Sequence, residues 1–191
     1  MPPSIDRPTI IIGKKIFRYP IIDSTNDEAR RLIEKGEGEG VVVQAEAQAK
    51  GKGKPGRNWY SAPGQGIYLS AVVKPRKNPR EIASITLIGA RAVVKILKDV
   101  AGVEAEIKLP NDVMINGKKI AGILVERLDS GYIIIGIGVN LNQLAGSFPS
   151  DITGTATSVK IETGRDFGAL QTADRLIAAL NNEYLAYLQL I

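Results

Sequence analysis

The chain has 191 residues, 25 Lys and Arg against 20 Asp and Glu, and neither cysteine nor histidine. Disulfides, thiolate zinc sites, thiol nucleophiles, a Ser-His-Asp triad and imidazole metal sites are therefore excluded, so any catalysis rests on Lys, Arg, Asp, Glu, backbone amides and binding geometry. The length suits one sizeable core, a single domain over residues 1–191, and no apolar run approaches the ~20 residues of a membrane span.

The N-terminus, "MPPSIDRPTI", has no apolar core of a secretory leader, which makes the cytoplasm the default location. The net charge of +5 admits two readings, a solvated basic surface or a phosphate-bearing partner. With one Trp, six Tyr and three Phe, the chain has no aromatic-basic stripe of the kind that binds nucleic acid, and no DNA partner is expected.

In chain order, "TIIIGKKIFRYP" reads as a strand or hairpin ending at Pro20. "DSTNDEARRLIEKG" reads as a helix, with Thr25 and Glu28 at capping-box spacing and Gly36 as the stop. Val41–Ala47 is apolar enough for a buried strand, and "IYLSAVVKP" is the next, ended by Pro75. "NPREIASITLIGARAVVKILKDV" carries apolar residues near helical spacing, with Pro79 suited to its first turn. "VEAEIKLPND" is a short strand running into a turn, and "INGKKI" holds the Asn-Gly hairpin signal. "KKIAGILVERLDSGYIIIGIGVNLN" reads as two long strands joined at Asp129–Gly131. "AGSFPSDITGTATS" is loop, and "DFGALQTADRLIAALNNEYLAYLQLI" is a final amphipathic helix. Helices and strands mix without a strict βαβ rhythm, which indicates an α+β fold with a mixed or antiparallel sheet.

Between the second and third strands lies "GKGKPGRNWYSAPGQG", Gly51–Gly66. Its first three glycines match G-x-G-x-x-G, but "RNWYSAPGQG" cannot open the helix that a dinucleotide fingerprint needs. A Walker A loop would need Lys and Ser/Thr after Gly56, where Arg57 and Asn58 stand. What survives is general chemistry. Glycines let amides approach an anion, Lys52, Lys54 and Arg57 add charge-assisted donors, and Trp59 and Tyr60 offer flat apolar surface. The segment reads as a flap over a nucleotide or as a solvated surface loop. Three further stretches fall at strand ends: "KLPND" with Lys108, Asn111 and Asp112, "KKIAGILVE" with Lys118 and Lys119, and "GIGVNLN" with Gly136, Gly138 and Asn140. Glycine inside a strand often marks the close approach of a ligand or another backbone.

Taken in order, "DSTN", "AEAQAKGKGKPGRNWYSAPGQGIYLS", "KLPNDVMINGKKIAGILVE" and "GIGVNLN" resemble the catalytic domain of biotin protein ligases. The resemblance implies an α+β fold of the class II aminoacyl-tRNA synthetase and biotin synthetase type, with a largely antiparallel mixed sheet. It implies an enzyme that activates biotin with ATP and Mg2+ as biotinyl-5′-AMP, then transfers biotin to a lysine of a biotin carboxyl carrier protein. Acyl adenylation needs no enzyme nucleophile, which agrees with the absence of Cys and His. By the resemblance, Ser24, Thr25, Gln48, Gly51 and Gly122 hold biotin, with Asn26, Gly53 and Gly138 in the same ligand-binding set. Lys119 sits over the biotin carboxyl and the phosphate. Lys108, Asn111 and Asp112 serve phosphates and magnesium, with Asp112 as the metal ligand. Arg57 grips phosphate, Trp59 packs on the ligands and Asn140 faces the adenine. Lys119, Lys108 and Arg57 form the catalytic set.

Three positions depart from the family. Lys52 and Lys54 stand where arginines are usual, and lysine lacks Arg's bidentate fork. Leu109 replaces a tryptophan before the Pro-Asn-Asp turn. No helix-turn-helix precedes the first strand, so repression is not implied, and the SH3-like domain usual after the last helix is absent from the sequence. The long apolar strands and the resemblance together point to a homodimer. Two alternatives stay open: a lipoate- or octanoate-type acyl ligase of the same fold, and a non-catalytic binder of biotin or nucleotide.

Overall fold

The structure is a computed structural model and describes residues 9–54, 56–75 and 82–189. Its elements are β1 (Lys15–Ile22), α1 (Thr25–Glu34), β2 (Val41–Gln48), β3 (Gly66–Val73), α2 (Ile82–Ile96), β4 (Glu106–Lys108), β5 (Asp112–Ile115), β6 (Lys118–Arg127), β7 (Ile133–Asn140), α3 (Val159–Thr163) and α4 (Ala169–Gln189). All seven strands form one sheet in the order β1-β2-β3-β7-β6-β5-β4. Only β1 and β2 run parallel; every other pair is antiparallel. The α+β class and largely antiparallel sheet expected from the sequence are what the chain adopts. Pro79, Pro55 and the last two residues of the expected final helix lie outside the described residues.

Strand alternation sends successive side chains to opposite faces, and each face has its own helices. Val42, Ala71, Val73, Ile133, Ile135 and Ile137 point to a large core shared with α2 and α4. Val41, Val43, Val72 and Ile134 point the other way, to a smaller cluster with Ala29 and Leu32 of α1. Helix α1 spans ten residues and covers only part of that second face. Continuing along β7 on the α1 face, the residues after Ile134 are Gly136, Gly138 and Asn140. The site is built at the N-terminal end of α1, where the sheet turns to glycine.

Several expectations are corrected. Strand β1 continues through Pro20 to Ile22. It is an edge strand, and Pro20 is the residue without a register partner, so its missing N–H costs no ladder bond. Residues 9–14 are not a strand. Asn181 of α4 accepts from the amides of Ile11 and Ile12 at 2.8 and 3.0 Å and donates to Thr9 O at 3.0 Å, which holds the segment as a turn. The N-cap of α1 is Ser24, without a side-chain cap bond, and not Thr25. Thr25 and Glu28 form no capping box because both side chains are engaged elsewhere. The Thr25 hydroxyl donates to Gln48 Oε1, and Glu28 accepts from Arg31 and Tyr19. Strands β6 and β7 are interior, so the sheet's edges are β1 and β4. The Asn116–Gly117 turn forms as read, with φ of 51° and 74°.

Candidate functional site

Four small residues make the floor. Gly122 of β6 and Gly138 of β7 are direct register partners, and Ser70 of β3 pairs with Gly136 of β7. The floor leaves room because these positions lack bulk. A Cβ on Gly136 would stand 2.2 Å from Asn26 Oδ1, and one on Gly138 would stand 2.4 Å from the Trp59 ring. On Gly122 a Cβ would meet the same ring at 2.9 Å. The indole of Trp59 therefore lies across the glycine pair, and its Nε1–H is buried without an acceptor among the described residues.

The start of α1 supplies a polar wall. Ser24, Thr25 and Asn26 are all buried. Gln48, the last residue of β2, fixes them: its Oε1 accepts from Thr25 N at 2.8 Å and Thr25 Oγ1 at 3.1 Å. Its Nε2 donates to Ser61 Oγ at 2.9 Å, which in turn donates to Trp59 O at 3.3 Å. Ser70 Oγ lies 2.8 Å from Thr25 Oγ1 and 2.6 Å from Asn26 Oδ1. Buried polar groups in one satisfied network have few alternative arrangements, so the wall is rigid.

Charge enters from the opposite side. Lys119, second residue of β6, brings its ammonium 2.6 Å from Asp112 Oδ1 on β5 and 5.4 Å from the centroid of the Trp59 ring. Lys118, one step back on the strand, is exposed. Asn111 precedes Asp112. Its Nδ2 donates to Ile123 O at 3.0 Å, which holds the amide in place, and its Oδ1 is buried without a donor among the described residues.

The glycine-rich segment folds over this floor as a small hairpin. Lys52 and Asn58 bridge antiparallel, Gly53 N donates to Arg57 O at 2.9 Å, and Trp59 N donates to Gly51 O at 2.8 Å. Lys54 and Arg57 line the pocket and take part in no ion pair among the described residues. The resulting pocket holds about 210 Å³.

The pocket brings together Ser24, Thr25, Asn26, Gln48, Lys52, Gly53, Lys54, Arg57, Trp59, Asn111, Asp112, Lys119, Gly122, Gly138 and Asn140. Two expected residues stand outside its wall. Gly51 is buried beneath the hairpin, where a Cβ would meet Trp59 O at 2.5 Å, so it is a pivot of the loop. Lys108 is exposed at the end of β4, the outermost strand, as the direct register partner of Asp112. Asn140 is 4% exposed and its Nδ2 donates to Thr157 O at 2.9 Å, so the amide already holds a neighbouring loop.

That loop escaped the sequence reading. Lys119 N donates to Thr155 O at 2.8 Å and Thr157 N to Lys119 O at 2.9 Å, which carries Ile152, Thr155 and Ala156 into the pocket wall. "DITGTATS" has no periodicity, and besides those backbone bonds the buried Asn140 and Ser158 tie it down. Ser61 and Ser70 were also missed; as lone serines in a loop and a strand they carry no pattern.

The site is thus a glycine-floored pocket with a helix N-terminus on one wall and a lysine–aspartate pair on the other. The biotin protein ligase from Aquifex aeolicus in complex with biotin and ATP matches with a TM-score of 0.82 and 28% identity, over 92% of this chain and 72% of that one. The biotin–[acetyl-CoA-carboxylase] ligase of Paracoccus denitrificans is 35% identical over 165 residues, which is 82% of this chain and 68% of the relative. The bifunctional ligase/repressor BirA of Bacillus subtilis is 32% identical over 186 residues, 94% of this chain and 57% of BirA. The chain belongs to the biotin/lipoate A/B protein ligase family, whose model matches residues 19–140. It spans somewhat over half the length of the BirA relative.

Proposed function

We propose that the chain is the catalytic domain of a biotin–protein ligase. It joins biotin to ATP as biotinyl-5′-AMP with release of pyrophosphate, then passes biotin to a lysine of a biotin carboxyl carrier protein. The observation that carries the reading is the Lys119–Asp112 pair facing the polar wall of Thr25, Asn26 and Gln48 across a glycine floor.

In the first step a carboxylate oxygen attacks the α-phosphorus and the bond to pyrophosphate breaks. Two anions must meet, and their repulsion is the main obstacle. Lys119 supplies a fixed cation at the meeting point, pre-oriented by Asp112. Thr25, Asn26 and Gln48 offer donors and acceptors to the ureido ring, and Arg57 and Lys54 face the phosphates. In the second step the acceptor amine attacks the acyl carbon, the bond to AMP breaks, and the amine loses a proton. Water must be kept from the mixed anhydride meanwhile, a task for the hairpin over the pocket.

Magnesium, which neutralises phosphate charge when bound, fits one carboxylate and one amide oxygen. Asp112 and the unpartnered Asn111 Oδ1 would hold it, and phosphates would supply the remaining ligands. Among the described residues no cluster of three acidic side chains offers an all-protein cage. No described helix is long and apolar enough to cross a membrane. A cytoplasmic location is a separate part of the same proposal.

Pyrophosphate release with biotin, lipoate or octanoate as the acid tests the reading. Release with biotin alone supports it; release with octanoate or lipoate alone assigns the lipoate-type chemistry. Bound biotin without pyrophosphate identifies a non-catalytic binder. A homodimer is part of the same proposal. An interface made by sheet pairing would use β1 or β4, not the interior β6 and β7. Sedimentation at tens of micromolar should show twice the 20.5 kDa chain mass, and a single 20.5 kDa species contradicts it.

A further inference from the structure

Two carboxylates touch side chains that line this pocket, Lys52 and Asn26. Asp27 lies in the first turn of α1, and Glu126 lies near the end of β6. Acids beside an anion site oppose the binding of phosphate unless something neutralises them. Here the neutralising groups are Lys52 and Arg30. Lys52 of the glycine-rich hairpin is ion-paired with Asp27, and its ammonium is 4.0 Å from Glu126 Oε1. Glu126 also accepts from Arg30 Nη2 at 2.6 Å and from Asn26 Nδ2 at 3.1 Å. Asn26 in turn belongs to the buried wall through Ser70. The hairpin is thus stitched to the body at both ends: through Ser61 and Gln48 after Trp59, and through Lys52 before it.

We propose that Asp27 and Glu126 are positioning residues that hold the hairpin over the pocket through Lys52, before any nucleotide arrives. Lys52 is then an anchor of the loop and not a phosphate ligand, which leaves Lys54 and Arg57 as the cations presented to phosphate. The arrangement suits lysine. A compact ammonium on a flexible stem can sit between two carboxylates from different elements. The consequence for catalysis, slower loss of bound biotin and adenylate, rests on the ligase reading; the anchoring itself does not.

The test uses amide hydrogen exchange at Gly53, Arg57 and Trp59 in the ligand-free protein, because these three amides report the hairpin bonds. Lys52→Met and Asp27→Asn should each raise exchange about two- to five-fold at low salt, the range set by partly exposed ion pairs. Lys52→Arg, which keeps the charge, should retain most of the protection. Glu126→Gln keeps an acceptor for Asn26 but removes the charge, and should give a smaller rise. Raising salt to about 1 M shortens screening to about 3 Å, so it should speed exchange in the unmodified protein and leave Lys52→Met unchanged. The Lys52→Met, Asp27→Asn double variant should be no faster than either single one. Wild-type exchange in both single variants, or effects that add in the double variant, overturns the proposal, and no rise in Glu126→Gln removes Glu126 from it. Because the unmodified protein's salt response is part of the test, an unfolded variant does not decide it. No ligand is present, so failure of the ligase reading leaves this result standing, and ligase activity with unchanged exchange overturns the anchor alone.

Discussion

The ammonium of Lys119 and the carboxylate of Asp112 stand 2.6 Å apart on adjacent antiparallel strands, β6 and β5, at the edge of the glycine floor. The β5–β6 register shifts between Val113 and Met114, and Lys119 sits directly after that irregularity. The shift aims a lysine across the sheet at an aspartate and leaves its neighbour Lys118 exposed.

Lys119→Ala should slow adenylate formation by about 10²–10³-fold, the loss of about 2.7–4 kcal/mol associated with removing one preorganised charge-stabilising group. Biotin affinity should change less, and Lys118→Ala should change neither. Single-turnover pyrophosphate release together with equilibrium biotin binding separates the two effects. Normal single-turnover adenylation in Lys119→Ala would remove Lys119 from the chemistry.

Gly138→Ala should displace the chain's only tryptophan, because the added Cβ would stand 2.4 Å from Cε2 and 2.5 Å from Nε1 of Trp59. Overpacking of this kind costs about 1–3 kcal/mol, and here the strain falls on the ligand pocket. Trp59 emission should shift, and biotin should bind about tenfold or more weakly. Gly146→Ala, which meets nothing within 4 Å, is the control. Unchanged emission in Gly138→Ala would show that the indole does not rest on the glycine pair.

The hairpin should tighten further when ligands bind. Its bonds in the free protein are few and largely exposed, and ordering by ligand adds contacts at Arg57, Lys54 and Trp59. Exchange at residues 51–66 should fall with biotin and fall again with adenylate. Arg57→Ala should weaken nucleotide binding and raise release of adenylate into solution. Lys54→Arg, which restores a bidentate fork, should leave release unchanged or reduce it. Exchange that ignores both ligands would identify the hairpin as a static element.

Acid should loosen the start of α1 in a defined window. The Asp23 carboxyl is held down to about 2, chiefly by Arg31, whose Nη1 and Nη2 donate to its oxygens at 2.9 and 2.7 Å, with help from the Ser24 amide. A lowered native value means that the contribution is complete above the unfolded value of about 3.9 and is lost as pH falls toward 2. Both side chains are about two-fifths exposed, so the amount is about 1 kcal/mol or less. Denaturant midpoints at pH 5 and pH 2.5 should drop more in the unmodified protein than in Asp23→Asn. Equal drops would show that the pair does not contribute.

Most of the sheet was legible because its signals are local. The apolar run Val41–Val43, the run Ile133–Ile137 and the Asn116–Gly117 turn each specify a strand or a hairpin from adjacent residues. The motif lysine and asparagine of the pocket were legible because they sit at strand ends, and its glycines because they interrupt the apolar pattern inside β6 and β7. Tertiary partners decided the rest. Pro20 is tolerated only because β1 has an empty side, which no local pattern reveals. Thr25 forgoes its cap because Gln48 and Ser70 compete for its hydroxyl. Lys52 looks like a phosphate cation beside Gly51 and Gly53, and only the fold brings Asp27 and Glu126 to it. Thr155–Thr157 has no periodicity at all and joins the pocket through backbone bonds to Lys119.

Transfer to an acceptor tests the account most directly. The protein is incubated with ATP, Mg2+, labelled biotin and a biotin carboxyl carrier domain, and label is sought on the carrier's lysine by mass. The account requires one biotin per carrier, pyrophosphate released in equal amount, and loss of both with Lys119→Ala. An unlabelled carrier, with biotin bound but no pyrophosphate formed, would contradict it.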